Sequence, residues 1–299
     1  MHSKPMTGHL AALFTALVWG TTFISTKVLL TDFQPVEILF FRFILGYLML
    51  FAACPRRLKT RGAGQEKLFV LAGLCGICLY YLMENIALTF TLASNVGVMV
   101  SIAPFFTAVL SQLLMPEGEK LGVNFFAGFA VAMVGIVLIS FNGARLEVNP
   151  LGDVLSVGAA LVWACYSLLT RKIGGLGYPV ILTTRRIFFY GILCMVPALF
   201  FFDFHLQPGR FASPASLLNM LYLGVGASAL CFVTWNYAVK VLGAVKTSVY
   251  IYLVPVITIV TSMIVLKEPV TWMSAVGTAL AIAGLVVSEY RGNERVSVS

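Results

Sequence analysis

Two residues of opposite charge lie deep inside apolar stretches of this 299-residue chain, where a charge is costly. Arg42 lies six residues after Val36, the start of one stretch, and Glu84 lies six residues before Phe90, the end of another. Their similar depth predicts an ion pair, with Glu84 as the best proton carrier. Two interpretations stay open: a packing clamp between helices, and a gate or coupling site whose pairing depends on conformation. Buried ion pairs stabilise proteins poorly, which keeps the second interpretation open beside the first.

Two tryptophans lie at positions where tryptophan is unusual. Trp19 and Trp163 each lie near the middle of an apolar stretch, although tryptophan in membranes usually lies at the interface. A central cavity lined by both indoles would offer apolar walls and N–H donors; the alternative is an aromatic packed at a helix crossing. Tyr81 and Tyr166 are further candidates for lining such a cavity.

Two amides and two prolines also interrupt apolar stretches. Asn85 and Asn236 need hydrogen-bond partners, either from a neighbouring helix, which we favour, or from a ligand. Pro104 and Pro255 each free a backbone carbonyl in mid-helix and predict a kink. These side chains must be positioned by long apolar helices.

The composition predicts what those helices are part of. Hydrophobic residues make up 60% of the chain and charged residues 11%, and the mean hydropathy is +0.95. Soluble domains have about 45–50% apolar and about 25% charged residues. The sequence therefore predicts a multi-pass, all-α protein of the cell membrane, with the bacterial inner membrane as the expected location. It excludes a large extramembrane catalytic domain, a disordered protein and a disulfide-rich secreted one.

A membrane-spanning helix needs about 20 mostly apolar residues. Ten segments qualify: residues 9–30, 36–54, 68–90, 93–115, 121–141, 152–170, 178–202, 217–239, 244–266 and 270–290. With the N-terminus inside, the inner segments hold thirteen Lys and Arg residues and the outer loops three, so both termini are predicted to be cytoplasmic. Arg186 falls near the cytoplasmic face, where it and Arg185 are expected to reach the interface.

The ten segments form two copies of five. Residues 16–19, Ala-Leu-Val-Trp, recur as residues 160–163 at an offset of 144. The same offset relates Arg42 to Arg186, and an offset of 151 relates Asn85 to Asn236, Pro104 to Pro255 and Glu117 to Glu268. Because five is odd, the second copy enters the membrane from the opposite side, which gives an inverted-topology repeat. We assign the repeats to residues 9–141 and 152–290, followed by a cytoplasmic tail, 291–299.

These motifs resemble the drug/metabolite transporters of the ten-helix EamA type. The likeness rests on the tryptophan in the first helix of each copy, the arginine in the second helix, and the proline-centred fourth helix followed by Glu117 or Glu268. In the second copy, Ala164 replaces the glycine that follows the tryptophan in the first. The resemblance covers nearly the whole chain. It implies a secondary transporter, usually an exporter, of small metabolites such as amino acids.

Other motifs favour no catalytic or cofactor chemistry. Cys75 and Cys78 spell CxxC inside an apolar span, the three histidines are scattered, and neither a P-loop nor a G-x-S-x-G elbow is present. The sequence therefore predicts no metal, no cofactor and no enzyme activity. The basic loops lack an aromatic platform, so nucleic-acid binding is disfavoured. Glycines spaced by seven residues in the fifth and tenth helices suit either intramolecular packing or a homodimer: Gly128, Gly135, Gly277 and Gly284.

The leading hypothesis is alternating access around a central site, exporting an amino acid or related zwitterion. Aromatic walls suit an apolar moiety, while Arg42 and Glu84 suit a carboxylate and an ammonium group. The alternatives are an intramembrane enzyme acting on a lipid headgroup and a multidrug or cation exporter, with a passive channel disfavoured. Small-molecule substrate and membrane lipid are the expected partners of a monomer or homodimer. Direction, substrate identity and the choice between proton coupling and facilitated diffusion stay open.

Overall fold

The computed structural model describes residues 3–114, 122–140, 149–202, 204–267 and 271–289. Every regular element within these ranges is helical, so the predicted all-α class is confirmed. The turn residues Glu117 and Glu268 and the tail 291–299 lie outside the described residues.

The first half of the chain forms seven α-helices: α1 Ser3–Leu29, α2 Pro35–Ala53, α3 Ala63–Gly73, α4 Tyr80–Phe90, α5 Ala93–Val100, α6 Ala103–Leu114 and α7 Val123–Ser140. A π-helical segment, Leu74–Leu79, joins α3 to α4 in one rod. The second half forms α8 Pro150–Gly175, α9 Val180–Phe201, α10 Pro214–Leu221, α11 Cys231–Leu242, α12 Ala244–Val249, α13 Val254–Val265 and α14 Trp272–Glu289. A second π-helical segment, Tyr222–Leu230, joins α10 to α11. Short 3₁₀ turns occupy Pro208–Ala212 and Tyr250–Leu253.

Seven helices in the described residues are long and apolar enough to cross a membrane: α1, α2, the α3–α4 rod, α8, α9, the α10–α11 rod and the α12–α13 segment. Three shorter apolar helices accompany them: Ala103–Leu114, Val123–Gly135 and Ala275–Ser288. The number of ten spans remains a prediction, and so does the cytoplasmic location of both termini.

In both fourth segments the α-helix is interrupted immediately before the proline, by turn residues in the first copy and by a 3₁₀ turn within one continuous helical span in the second. In the first copy, α5 ends at Val100 and α6 begins at Ala103, with Pro104 in its second position. In the second copy, the 3₁₀ turn ends at Leu253 and Pro255 is the second residue of α13. Proline has no N–H for the preceding turn but fits the first turn of a new helix, which accounts for the break.

The third helix of each copy contains a π-helical segment at the matching position. Shifting Leu74–Leu79 by 151 residues places it within Tyr222–Leu230. π-Helical turns are rare and are often found at functional sites. The sequence patterns gave no indication of them.

The two copies pack mainly against each other. Helix α2 packs on the π-segment of the α10–α11 rod, and α9 packs on α3 and the neighbouring π-segment. Helix α1 packs on α11, and α4 on α8. The core therefore lies between the two copies, where the sequence predicted the site.

The glycine stripe packs within the chain. Helices α7 and α14 lie side by side, and a Cβ on Gly284 would come 2.5 Å from the Gly128 carbonyl oxygen. Gly135 faces Gly277 in the same way. These glycines therefore serve to pack α7 against α14 within one chain.

Candidate functional site

A cluster of aromatic rings fills the centre between the two copies. This central cluster consists of Phe43, Tyr80, Tyr81, Trp163, Tyr166, Phe188, Phe232, Trp235 and Trp19. The Trp19 and Trp163 rings meet edge to face with centroids 5.1 Å apart. The predicted indole pair is thus brought together, but its rings contact each other instead of lining open space.

Tyr81 and Tyr166 both belong to the cluster. The Tyr81 ring lies 5.0 Å from that of Phe43, and the Tyr166 ring lies 4.9 Å from that of Trp163. Both tyrosines are buried.

Trp235 is the member of the cluster that sequence reasoning missed. Its side chain is 0% exposed and its ring lies 5.0 Å from that of Trp19. The repeat contains a signal for it: the offset of 151 that relates Asn85 to Asn236 also relates Glu84 to Trp235. A carboxylate and an indole therefore occupy the same position in the two copies.

Arg42 lies at the edge of the central cluster and is fully buried. Its Nε donates a hydrogen bond to Ser228 Oγ at 3.1 Å, and its Cζ lies 4.3 Å from the centre of the Tyr81 ring. Among the described residues, its two terminal nitrogens have no hydrogen-bond partner. Burying guanidinium N–H donors without acceptors is costly, so these atoms are available to a ligand.

Glu84 is 2% exposed and its Oε1 also has no hydrogen-bond partner among the described residues. Tyr80 lies one helical turn earlier on α4, four residues before Glu84. The expected contact pair with Arg42 does not form: no ion pair within 4.0 Å joins these two described residues. Arg42 instead lies over Tyr81 and donates to Ser228.

The two amides bind neighbouring helices. Asn85 Nδ2 donates to the Pro35 carbonyl at 3.1 Å. Asn236 Oδ1 accepts a hydrogen bond from Tyr166 at 2.8 Å, and its Nδ2 donates to Thr184 at 3.0 Å. These contacts are the helix–helix hydrogen bonds that we favoured for the amides.

Arg186 forms an ion pair with the first copy. Its guanidinium forms a 2.7 Å salt bridge with Glu66 at the start of α3, and Tyr190 donates to the same carboxylate at 2.6 Å. Arg185 donates to the carbonyls of Cys54 and Arg56. An ion pair between the two copies therefore lies at the end of the bundle that the Arg/Lys count assigns to the cytoplasm.

A second ion pair joins the copies at the opposite end. Glu37, fully buried at the start of α2, forms a 2.7 Å salt bridge with Arg210. Its carboxylate also accepts the backbone N–H groups of Gln34 at 2.8 Å and His205 at 3.0 Å. The segment between α9 and α10 is thereby fixed against α2.

Helix α1 is attached to the α10–α11 rod by a ladder of hydrogen bonds along its length. The pairs are Thr7 with Tyr237, Thr15 with Thr234, Trp19 with the Ala227 carbonyl, Thr21 with Tyr222, and Ser25 with Asn219. Near its C-terminal end, α1 is also attached to α4: Lys27 donates hydrogen bonds to the carbonyls of Leu88 and Thr91.

Metal ligation has no support in the part of the chain that the structure describes, where no group of three or more His, Cys, Asp or Glu residues could hold an ion. All six cysteines are free. Cys78 packs against α9, with its thiol 3.5 Å from the Cys194 carbonyl oxygen.

The fold and this site define a class: a multi-pass helical membrane protein with two related halves and buried charged and aromatic groups between them. The family model described as the EamA-like transporter family matches residues 6–141 and 150–290. The chain therefore belongs to the EamA-like transporter family.

The alignments with the relatives below cover nearly the whole of this chain and nearly the whole of each relative. An "Uncharacterized transporter" of Archaeoglobus fulgidus is 30% identical, over 96% of this chain and 98% of its own. A "Probable terminal-alkyne amino-acid exporter" of Streptantibioticus cattleyicolor is 26% identical, over 94% and 93%. One solved crystal structure superposes with a TM-score of 0.73 at 19% identity, covering 95% of this chain and 97% of its own, which shows a shared fold. The protein is a membrane transporter of this family.

Proposed function

We propose that this protein is a secondary transporter that exports an amino acid or a related zwitterion, and that Arg42 and Glu84 bind its two charged ends. One observation carries the proposal: the terminal nitrogens of Arg42 and Oε1 of Glu84 are buried at the edge of the central cluster with no hydrogen-bond partner in the described parts of the chain. A carboxylate matches the guanidinium fork, and an ammonium group matches the carboxylate. A bound zwitterion would supply the partners that each group lacks.

The charged groups and the aromatic rings fit the two parts of such a substrate. Tyr81 lies beneath Arg42 and in ring contact with Tyr80, which is one helical turn from Glu84 on α4. Aromatic faces suit an apolar side chain. The name of the Streptantibioticus cattleyicolor relative, an amino-acid exporter, agrees with this substrate class and with export.

Alternating access would use the two ion pairs between the copies as gates. Glu37–Arg210 lies at one end of the bundle and Glu66–Arg186 at the other, with the central cluster between them. Each pair joins the first copy to the second, so opening either end requires one pair to part. Arg186 thus acts as a gating residue, and Glu84 is the candidate proton-coupling residue. The breaks before Pro104 and Pro255 provide points at which the fourth segments can bend.

A cation exporter is the second candidate, favoured by one observation: Glu84 is not held in a contact ion pair with Arg42. A free buried acid suits a cationic substrate. The guanidinium of Arg42 nearby opposes a cation that carries no negative group, and for this reason the zwitterion is the better fit.

Proteoliposomes loaded with labelled amino acids test the proposal. Wild-type protein is expected to give saturable exchange, and Arg42→Gln and Glu84→Gln are expected to weaken substrate binding. Arg57→Gln, at an exposed arginine, is the matched control. Thermal stabilisation by quaternary cations alone, with no stabilisation by amino acids, would overturn the zwitterion proposal.

A further inference from the structure

Three of the four tryptophans meet in the central cluster, and their indole N–H groups are not equivalent. Trp19 Nε1 donates to the Ala227 carbonyl at 3.0 Å. Trp163 and Trp235 are 2% and 0% exposed, yet neither Nε1 has a hydrogen-bond partner among the described residues. Within the part of the chain that the structure describes, the central cluster therefore contains two buried donors without an acceptor.

An unpaired donor in an apolar core destabilises the fold, and a phenylalanine would provide a ring without that cost. The ring centroids of Trp163 and Trp235 lie 6.0 Å apart, so the two side chains are direct neighbours in the central cluster. We infer that Trp163 and Trp235, once the packed rings separate during alternating access, form a subsite that donates hydrogen bonds to an uncharged acceptor on the side chain of the substrate. This inference rests on the proposed function and names a narrower substrate class.

The subsite continues from the charged end of the proposed site. The Trp163 ring lies 4.8 Å from that of Tyr80, which is one helical turn from Glu84 on α4. Trp235 occupies in the second copy the position that Glu84 occupies in the first. The first copy thus contributes a carboxylate for the ammonium group, and the second contributes donors for the far end of the molecule.

The ligand class follows from this chemistry. The walls are aromatic and the indole N–H can only donate, so the matching group is a carbonyl, ester or ether oxygen that accepts and does not donate. Leucine and 4-oxonorvaline are a suitable probe pair. Their side chains have similar shape, and one methyl group of leucine is replaced by a carbonyl oxygen.

The test compares transport of the two probes in proteoliposomes. Wild-type protein is expected to prefer 4-oxonorvaline by about three- to tenfold in kcat/KM, the range of one net hydrogen bond. Trp163→Phe and Trp235→Phe keep an aromatic ring and remove the donor, so each is expected to bring this ratio towards one. Trp272→Phe is the control, because Trp272 is 70% exposed and lies on α14, outside the cluster.

A second readout is independent of transport. The chain has four tryptophans, so ¹⁵N-indole labelling gives four N–H resonances, assigned with the Trp→Phe variants. Addition of 4-oxonorvaline is expected to shift those of Trp163 and Trp235 more than leucine does. Equal transport of both probes by the wild type, with no such shifts, overturns the subsite and leaves the proposed function standing. Failure to bind or transport any zwitterion overturns the proposed function and the subsite with it.

Discussion

The guanidinium of Arg42 is centred 4.3 Å from the ring of Tyr81, so a buried cation rests on an aromatic face instead of on the carboxylate of Glu84. A cation over an aromatic ring is stabilised by about 2 kcal/mol when both are desolvated. This contact holds the guanidinium, and its two terminal nitrogens have no hydrogen-bond partner in the segments that the structure describes.

We expect Tyr81→Leu to raise the KM for a transported amino acid by at least about threefold, because the ring that orients Arg42 is lost. Tyr81→Phe keeps the aromatic face and is expected to remain close to the wild type. Initial rates of exchange in proteoliposomes measure this. Equal KM values for Tyr81→Leu and Tyr81→Phe would show that the ring face has no role in binding.

Glu84→Gln is expected to abolish accumulation driven by a proton gradient and to leave substrate exchange measurable. The amide has a similar shape but cannot carry the proton across the membrane. Accumulation is followed with and without a pH gradient, and Asp153→Asn, at the first turn of α8, is the control. If Glu84→Gln accumulates substrate normally, the carboxylate is structural and transport is facilitated or coupled elsewhere.

Glu66→Gln is expected to favour opening at the end of the bundle where Arg186 lies. The side chains of Arg186 and Glu66 are 34% and 24% exposed, so their pair contributes at most about 1 kcal/mol, about a fivefold change in an opening equilibrium. A cysteine introduced at Thr183, in a background without other cysteines, reports opening by its labelling rate.

The charge-swapped double variant, Glu66→Arg with Arg186→Glu, is the control for that experiment. It is expected to restore slow labelling by re-forming the ion pair. Labelling as fast as in Glu66→Gln would mean that the pair does not act as a gate.

Gly284→Val is expected to destabilise the protein by about 1–3 kcal/mol, because overpacking forces apart backbones that now touch. A Cβ at this position would lie 2.5 Å from the Gly128 carbonyl oxygen. Gly122→Val, where a Cβ would meet nothing within 4 Å, is the matched control. Thermal unfolding in detergent measures both, and equal Tm values would contradict the close packing of α7 on α14.

Much of this fold could be predicted from the sequence because hydropathy and repetition are long-range patterns. The all-α class and the approach of Trp19 to Trp163 follow from such patterns, since residues at the same depth in inverted copies approach one axis. The π-segments could not be predicted, because they depend on how α9 and α2 pack on each rod.

Individual partners were harder to predict than positions. Similar depth in the membrane predicted that Arg42 pairs with Glu84. In the structure the Arg42 side chain instead contacts Tyr81 and Ser228. Glu66 lies two residues before the predicted span at 68–90, so it was not considered as the partner of Arg186. Which side chains meet across helices depends on rotation about each helix axis, and hydropathy contains little information on that.

The hydrogen-bond ladder between α1 and the α10–α11 rod makes the two halves mechanically unequal. At the interface related to it by the repeat, α8 lies against the α3–α4 rod, and no side-chain hydrogen bond joins them within the described residues. Sliding along the first interface must break directional bonds one after another, while sliding along the second only exchanges one apolar contact for another. The interface of α1 with the α10–α11 rod is therefore expected to resist sliding more than the interface of α8 with the α3–α4 rod. We expect α1 and the α10–α11 rod to move as one rigid body during transport. Relative movement of helices is then expected at the interface of α8 with the α3–α4 rod.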